Sequence, residues 1–118
     1  MTEADLRRRT KAFATRIVRL CRHLPETQAG RLIGGQLFRA GTSVGANYRA
    51  ACRARSKAEF LAKLGIVLEE ADEALYWLEL LVETGTMTVK FLRPLLDEAD
   101  QLVAIFVASV TTAKQSGR

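Results

Sequence analysis

RAGTSVGANYRAACRARSKAEFLAKLGIVLEEADEALYWLELL, residues 39–81, decides the fold. Within it Ser56-Lys57-Ala58-Glu59 is an S-x-x-E capping box: Ser56 can accept the backbone N–H of Glu59, and Glu59 can reach back to the N–H of Ser56. After this start signal, Phe60, Leu64, Val67, Ala71, Ala74, Leu78 and Leu81 follow at alternating gaps of four and three, the period of a helix facing a bundle core. A second stripe, Leu61, Leu68, Leu75 and Val82, repeats every seven residues beside the first. Two adjacent stripes exceed what contact with one neighbour uses. The helix, spanning about 57–84, is expected to bury surface against several neighbours, another copy of the chain among them. Gly85 follows as its left-handed cap.

The same periodicity extends outward in both directions. A first helix is expected over about 3–23, with Leu6, Phe13, Ile17, Leu20 and Leu24 on its apolar face. Glu3 and Asp5 in its first turn and Arg22 and His23 in its last suit the helix dipole. Pro25 cannot continue that helix and suits the first position of the next. The second helix, about 27–53, carries Ile33, Leu37, Ala40, Val44, Tyr48 and Ala51 toward the core. Its glycines, Gly30/Gly34 and Gly41/Gly45, are four apart, so each pair lies on one face where another backbone can come close. Thr88 is the expected N-cap of a fourth helix over about 89–113, with Leu92, Leu95, Ala99, Leu102, Phe106 and Val110 inward. The run 102–110 is apolar nearly all round, which again points to a subunit interface. Four helices joined by short turns in 118 residues predict one all-α domain, an up-and-down four-helix bundle, assembled with other copies.

Three motifs of the central stretch, R-A-G-T-S-V-G-A-N-Y, R-A-R-S-x-x-E-F and E-E-A-D-E-A-L-Y-W-L-E-L, together resemble the bacterial four-helix-bundle family of 23S rRNA intervening-sequence proteins. That family is related to the accessory proteins of diversity-generating retroelements. The resemblance is close over Leu32–Glu83 and holds in general pattern elsewhere. It implies a bundle assembled as a homopentameric ring, and no single biochemical activity. Many members carry Glu two or three residues after the asparagine of the motif, where this chain has Arg49-Ala50, so no role resting on that carboxylate is carried over.

Charge is divided unevenly. Residues 1–58 hold thirteen Lys/Arg against three Asp/Glu, and residues 59–118 hold five against ten, so halves of +10 and −5 sum to the net +5. Arg7, Arg8, Arg9, Lys11, Arg16, Arg19 and Arg22 crowd the first helix. These are expected either to be solvated or paired with the acidic helices, or to contact nucleic acid. Arg49 and Arg53 share one helix face, and Arg55 and Lys57 follow in the turn. Charge favourable to the end of helix 2 accounts for them in part. Repeated around a ring, they would form a positive crown. The expected nucleic-acid-binding residues are therefore Arg49, Arg53, Arg55 and Lys57, with Arg16 and Arg19 assisting. The expected oligomer interface is Trp77, Tyr76, Leu61, Leu68, Val103 and Val107, since two adjacent aromatics cannot both face the core.

Other chemistry is not expected. No strand or G-K-[ST] accompanies the glycines, so they form no phosphate loop. The carboxylates of E-E-A-D-E have no E-x-x-H partner, and His23 is the only histidine, so neither metal, cofactor nor catalytic residues are expected. Cys21 and Cys52 read as small half-buried hydrophobes in a reducing cytosol. The charged N-terminus is unlike a signal peptide, and no apolar run is long enough to span a membrane. Two classes remain. One is a basic oligomeric module that holds RNA or DNA or assists a nucleic-acid-processing protein. The other is a structural or interaction scaffold whose charges pair internally.

Overall fold

A computed structural model describes residues 1–116. Its four helices are α1 (Glu3–Cys21), α2 (Gln28–Cys52), α3 (Lys57–Glu83) and α4 (Val89–Gln115). Each begins on a hydroxyl that accepts the N–H three residues on. Thr2 accepts from Asp5, Thr27 from Gly30, Ser56 from Glu59 and Thr88 from Phe91, at 3.0–3.2 Å. Such a side chain satisfies one of the otherwise orphaned donors of the first turn. At α1 the bond is reciprocated, Thr2 N donating to Asp5 Oδ2 at 2.9 Å, which makes a full capping box. These bonds from Thr2 hold the Asp5 carboxyl below the usual carboxylate range. At Ser56 only the first half forms. Glu59 stands instead 4.0 Å from Arg55.

The turns follow from a few residues. Gly85, at φ +70°, is the single positive-φ residue among those described, and it ends α3. Gly85 N donates to Val82 O and Met87 N to Leu81 O, both at 3.0 Å. A Cβ on Gly30 would stand 1.9 Å from the Pro25 carbonyl oxygen, so the first turn folds back onto α2 only because position 30 lacks a side chain.

The helices form a four-helix bundle 49 Å long and 20 Å across, in which each packs on the next in sequence. Phe13, Ile17, Leu37, Val44, Leu64, Leu78, Leu102 and Phe106 fill the middle. Tyr48 meets Phe106 with ring centroids 5.5 Å apart. The core also takes Thr10, a residue its polarity would place outside. It is fully buried, and its hydroxyl donates to the Leu6 carbonyl at 2.8 Å. Ile17 fills the space over Gly41, and Gly45 faces the Thr10 carbonyl, 3.2 Å from where its own Cβ would stand. The glycine pair thus sets how closely α1 and α2 approach. Gly35, by contrast, has open space beside it.

The fourth seam differs. α1 and α4 stand further apart than the other neighbours. Arg9 bridges them: its Nε and Nη2 each lie 2.7 Å from a Glu98 oxygen, and Nη2 also donates to Gln101 at 2.6 Å. Clefts open on this seam at both ends of the bundle. No helix of the described residues is long and apolar enough to cross a membrane.

Candidate nucleic-acid interface

The close approach of α1 and α2 also aligns their charges. Gly45 sits level with Thr10 and Lys11. Because the helices are antiparallel neighbours, one turn further along α2 brings Arg49 level with Arg7, one turn back along α1. Arg7 and Lys11 are four residues apart, as are Arg49 and Arg53, so each pair spans about 6 Å of its helix. The result is a groove with cations on both walls. Its deeper part, about 310 Å³, is floored by Ala14, Gly45 and Ala46 beneath Arg7, Lys11 and Arg49. A second part, about 360 Å³, continues it past Arg8 and Arg53 to Ala4. Among the described residues no carboxylate lines either part.

Ion pairing distinguishes these cations from the rest. Arg9 is committed to Glu98. Arg39 bonds Glu70 and Glu73, and Glu73 also accepts from Trp77 Nε1 at 3.1 Å. Much of the E-E-A-D-E carboxylate charge is therefore spent on α2. Arg8 pairs with Asp5, an exposed contact worth little in water. Among the described residues, Arg7, Lys11, Arg49 and Arg53 make no ion pair. A polyanion entering the groove would have no ion pair of these four cations to break.

Beneath this end of the groove lie Tyr48 and Cys52. Burial, and then the Cys52 thiol beside it, push the Tyr48 hydroxyl well above its ordinary range, and burial likewise raises Cys52. Both stay protonated and neutral near neutral pH, so neither offsets the charge above them.

The residues expected from sequence are distributed over several places. Arg49 and Arg53 lie in the groove. Arg55 and Lys57 stand at the same α2–α3 turn without lining it, Arg55 being exposed and Lys57 half-buried. Arg16 and Arg19 line a separate cleft, between α1 and α4. Of the expected interface residues, Leu68, Trp77 and Val103 pack against the protomer's own core, and Leu61 is half-buried. Tyr76 and Val107 face outward, 55% and 49% exposed. Sequence periodicity alone does not bring Arg7 and Lys11 opposite Arg49; the signal that does is the glycine pair 41/45, which fixes the register between the two helices.

The model of the 23S rRNA-intervening sequence protein family matches residues 2–108. The chain belongs to that family. A crystal structure from Bacteroides thetaiotaomicron, of a protein with unknown function from the S23 ribosomal protein family, is similar over the whole bundle. Its TM-score is 0.86 at 34% identity, covering 94% of this chain and 99% of its own. No curated protein matches the chain. The intervening-sequence family relationship thus agrees with the bundle described above, and its relative in B. thetaiotaomicron shares the four-helix arrangement.

Proposed function

We propose that this intervening-sequence family member is a non-enzymatic nucleic-acid-binding module that holds the phosphate backbone in the α1/α2 groove. One observation carries the reading: four cations from two helices, without an ion-pair partner among the described residues, face one groove that no described carboxylate lines. Phosphate contacts of this kind supply affinity and position but carry no sequence information. The groove contains neither an aromatic ring nor a side-chain amide, the groups that stack on or read bases. Binding there is therefore expected to be insensitive to sequence. The family's name, which ties it to an intervening sequence of 23S rRNA, is in keeping with a polyphosphate partner.

The proposal includes association of copies into a ring in the cytoplasm, which would repeat the groove around the assembly. Outward-facing Tyr76 and Val107 support it, because each leaves apolar helix surface uncovered in one protomer. A ring of basic grooves is suited to holding RNA or DNA for a nucleic-acid-processing protein as well as for its own sake.

The test is fluorescence anisotropy with labelled RNA and DNA against the parent and a variant carrying Arg7→Gln, Lys11→Gln, Arg49→Gln and Arg53→Gln. Loss of binding in that variant, while a control carrying both Lys63→Gln and Lys114→Gln binds as the parent does, supports the groove. Equal binding by parent, four-site variant and control refutes it. Absence of binding by the parent favours the scaffold reading, in which Arg9 and Arg39 are typical of the chain's charges.

A further inference from the structure

The cleft between α1 and α4 has a different composition from the basic groove. It is about 280 Å³, and its lining is mainly apolar, with Leu20, Phe91 and Pro94 inside and Arg16, Arg19 and His23 along the α1 wall. Phe91 is 51% exposed although it is a large aromatic in the first turn of α4. Thr88 fixes it there, its hydroxyl accepting the Phe91 N–H at 3.2 Å. Pro94, one turn on, lines the same cleft. No carboxylate lines the cleft, and neither Arg16 nor Arg19 forms an ion pair among the described residues.

His23 adds directionality. Its Nδ1 lies 2.9 Å from the Arg19 carbonyl oxygen. A carbonyl can only accept, so Nδ1 is the donor of that bond, which ties the ring to the end of α1 beside the cleft. An exposed aromatic side chain, an apolar wall and two guanidinium groups without an ion pair among the described residues line a single small cavity.

From this geometry we infer that the α1/α4 cleft is a nucleobase subsite. An unpaired base stacks on Phe91, and Arg16 and Arg19 contact its flanking phosphates. The combination of an aromatic platform with adjoining cations is the chemistry by which proteins hold unpaired nucleotides. Charge complementarity selects a nucleotide over an apolar protein segment, because a hydrophobic occupant would leave both guanidinium groups at its edge without partners. The inference rests on the proposed nucleic-acid role but uses different residues. The α1/α2 groove takes phosphates regardless of strandedness, whereas this cleft needs a base free of its duplex. Both grooves share α1, so one ligand can engage the two together if it joins a duplex to a single strand.

The test compares three probes of equal length: a thymidine homopolymer, the same strand with abasic sites throughout, and a duplex. The parent should bind the homopolymer on the order of tenfold more tightly than the abasic strand, the scale of one stacked base. Phe91→Ala, and Phe91→Leu, which keeps apolar bulk without a ring, should bring that ratio to one and leave duplex affinity unchanged. Circular dichroism verifies that both variants remain helical. A ratio of one in the parent, or a ratio that survives both substitutions, overturns the subsite while duplex binding still supports the basic groove. Failure of the parent to bind any of the three overturns both readings. A change in sedimenting mass on Phe91→Ala shows that a second copy covers the cleft, and overturns the subsite.

Discussion

Arg9→Gln separates cations that hold the bundle from those left for a ligand. In the parent, two nitrogens of Arg9 lie 2.7 Å from the two Glu98 oxygens, and Gln101 accepts a further bond. The Glu98 side chain is 16% exposed. Glutamine cannot reproduce the fork, so the change removes charge-assisted hydrogen bonds and leaves a half-desolvated carboxylate unpaired. Each effect is of order 1–3 kcal/mol, and they overlap, so about 2 kcal/mol is expected in total. The unfolding entropy scales at about 2.1 cal/mol/K per residue, or roughly 0.25 kcal/mol/K for this chain, so Tm should fall by about 8 °C. The combined Gln variant of Arg7, Lys11, Arg49 and Arg53 removes four charges but no ion pair. Its Tm should be unchanged, or slightly raised at low salt as like charges are relieved. Thermal unfolding followed by circular dichroism measures both. The double change Arg9→Gln with Glu98→Gln should recover part of the loss, because no orphaned carboxylate remains. If Arg9→Gln melts with the parent while the four-site variant falls by several degrees, the division between structural and available cations is wrong.

Other outcomes follow from local geometry. Gly30→Ala should destabilise by several kcal/mol, since its methyl would meet the Pro25 carbonyl, whereas Gly35→Ala, with open space, should stabilise by up to about 1 kcal/mol; urea unfolding of the two variants reads the sign directly. Ser56→Ala removes the hydroxyl that caps α3 and should cost about 1 kcal/mol in the same assay. Tyr48 contributes to alkaline unfolding. Its folded pKa is raised, so above its unfolded value near 10.0 the folded chain binds the extra proton, and stability falls as pH rises. The parent should therefore lose stability from about pH 10 upward more steeply than Tyr48→Phe, measured as urea midpoints across pH.

The helices were legible in the sequence because each carries an apolar stripe and a start signal. Phe13, Ile17, Leu37, Val44, Leu64 and Leu102 were expected in the core and are buried there. Thr10 was not expected, because its burial depends on satisfying its hydroxyl within α1 and on facing Gly45, and neither condition shows in a hydrophobic pattern. The Thr2–Asp5 box carries a weaker signal than Ser56, because T-x-x-D departs from the S/T-x-x-E/Q pattern of a capping box. The candidate site was legible only in part. Arg49 and Arg53 stood out as neighbours on one helix face, but their opposite wall, Arg7 and Lys11, depends on the register between two helices. Phe91 carries no local signal at all. It falls off the core stripe of α4, and its place in a cationic cleft appears only when the C-terminal end of α1 comes alongside.

The most direct measurement of the central claim is the salt dependence of duplex binding. Four groove cations that neutralise four phosphates give a slope of log affinity against log salt of about −3.6 per protomer, a loss of roughly 150-fold between 50 and 200 mM. The parent should show that steep slope, and the four-site Gln variant weak binding with a nearly flat one. A parent whose binding barely changes with salt, or a variant that keeps the parent's slope, would contradict it.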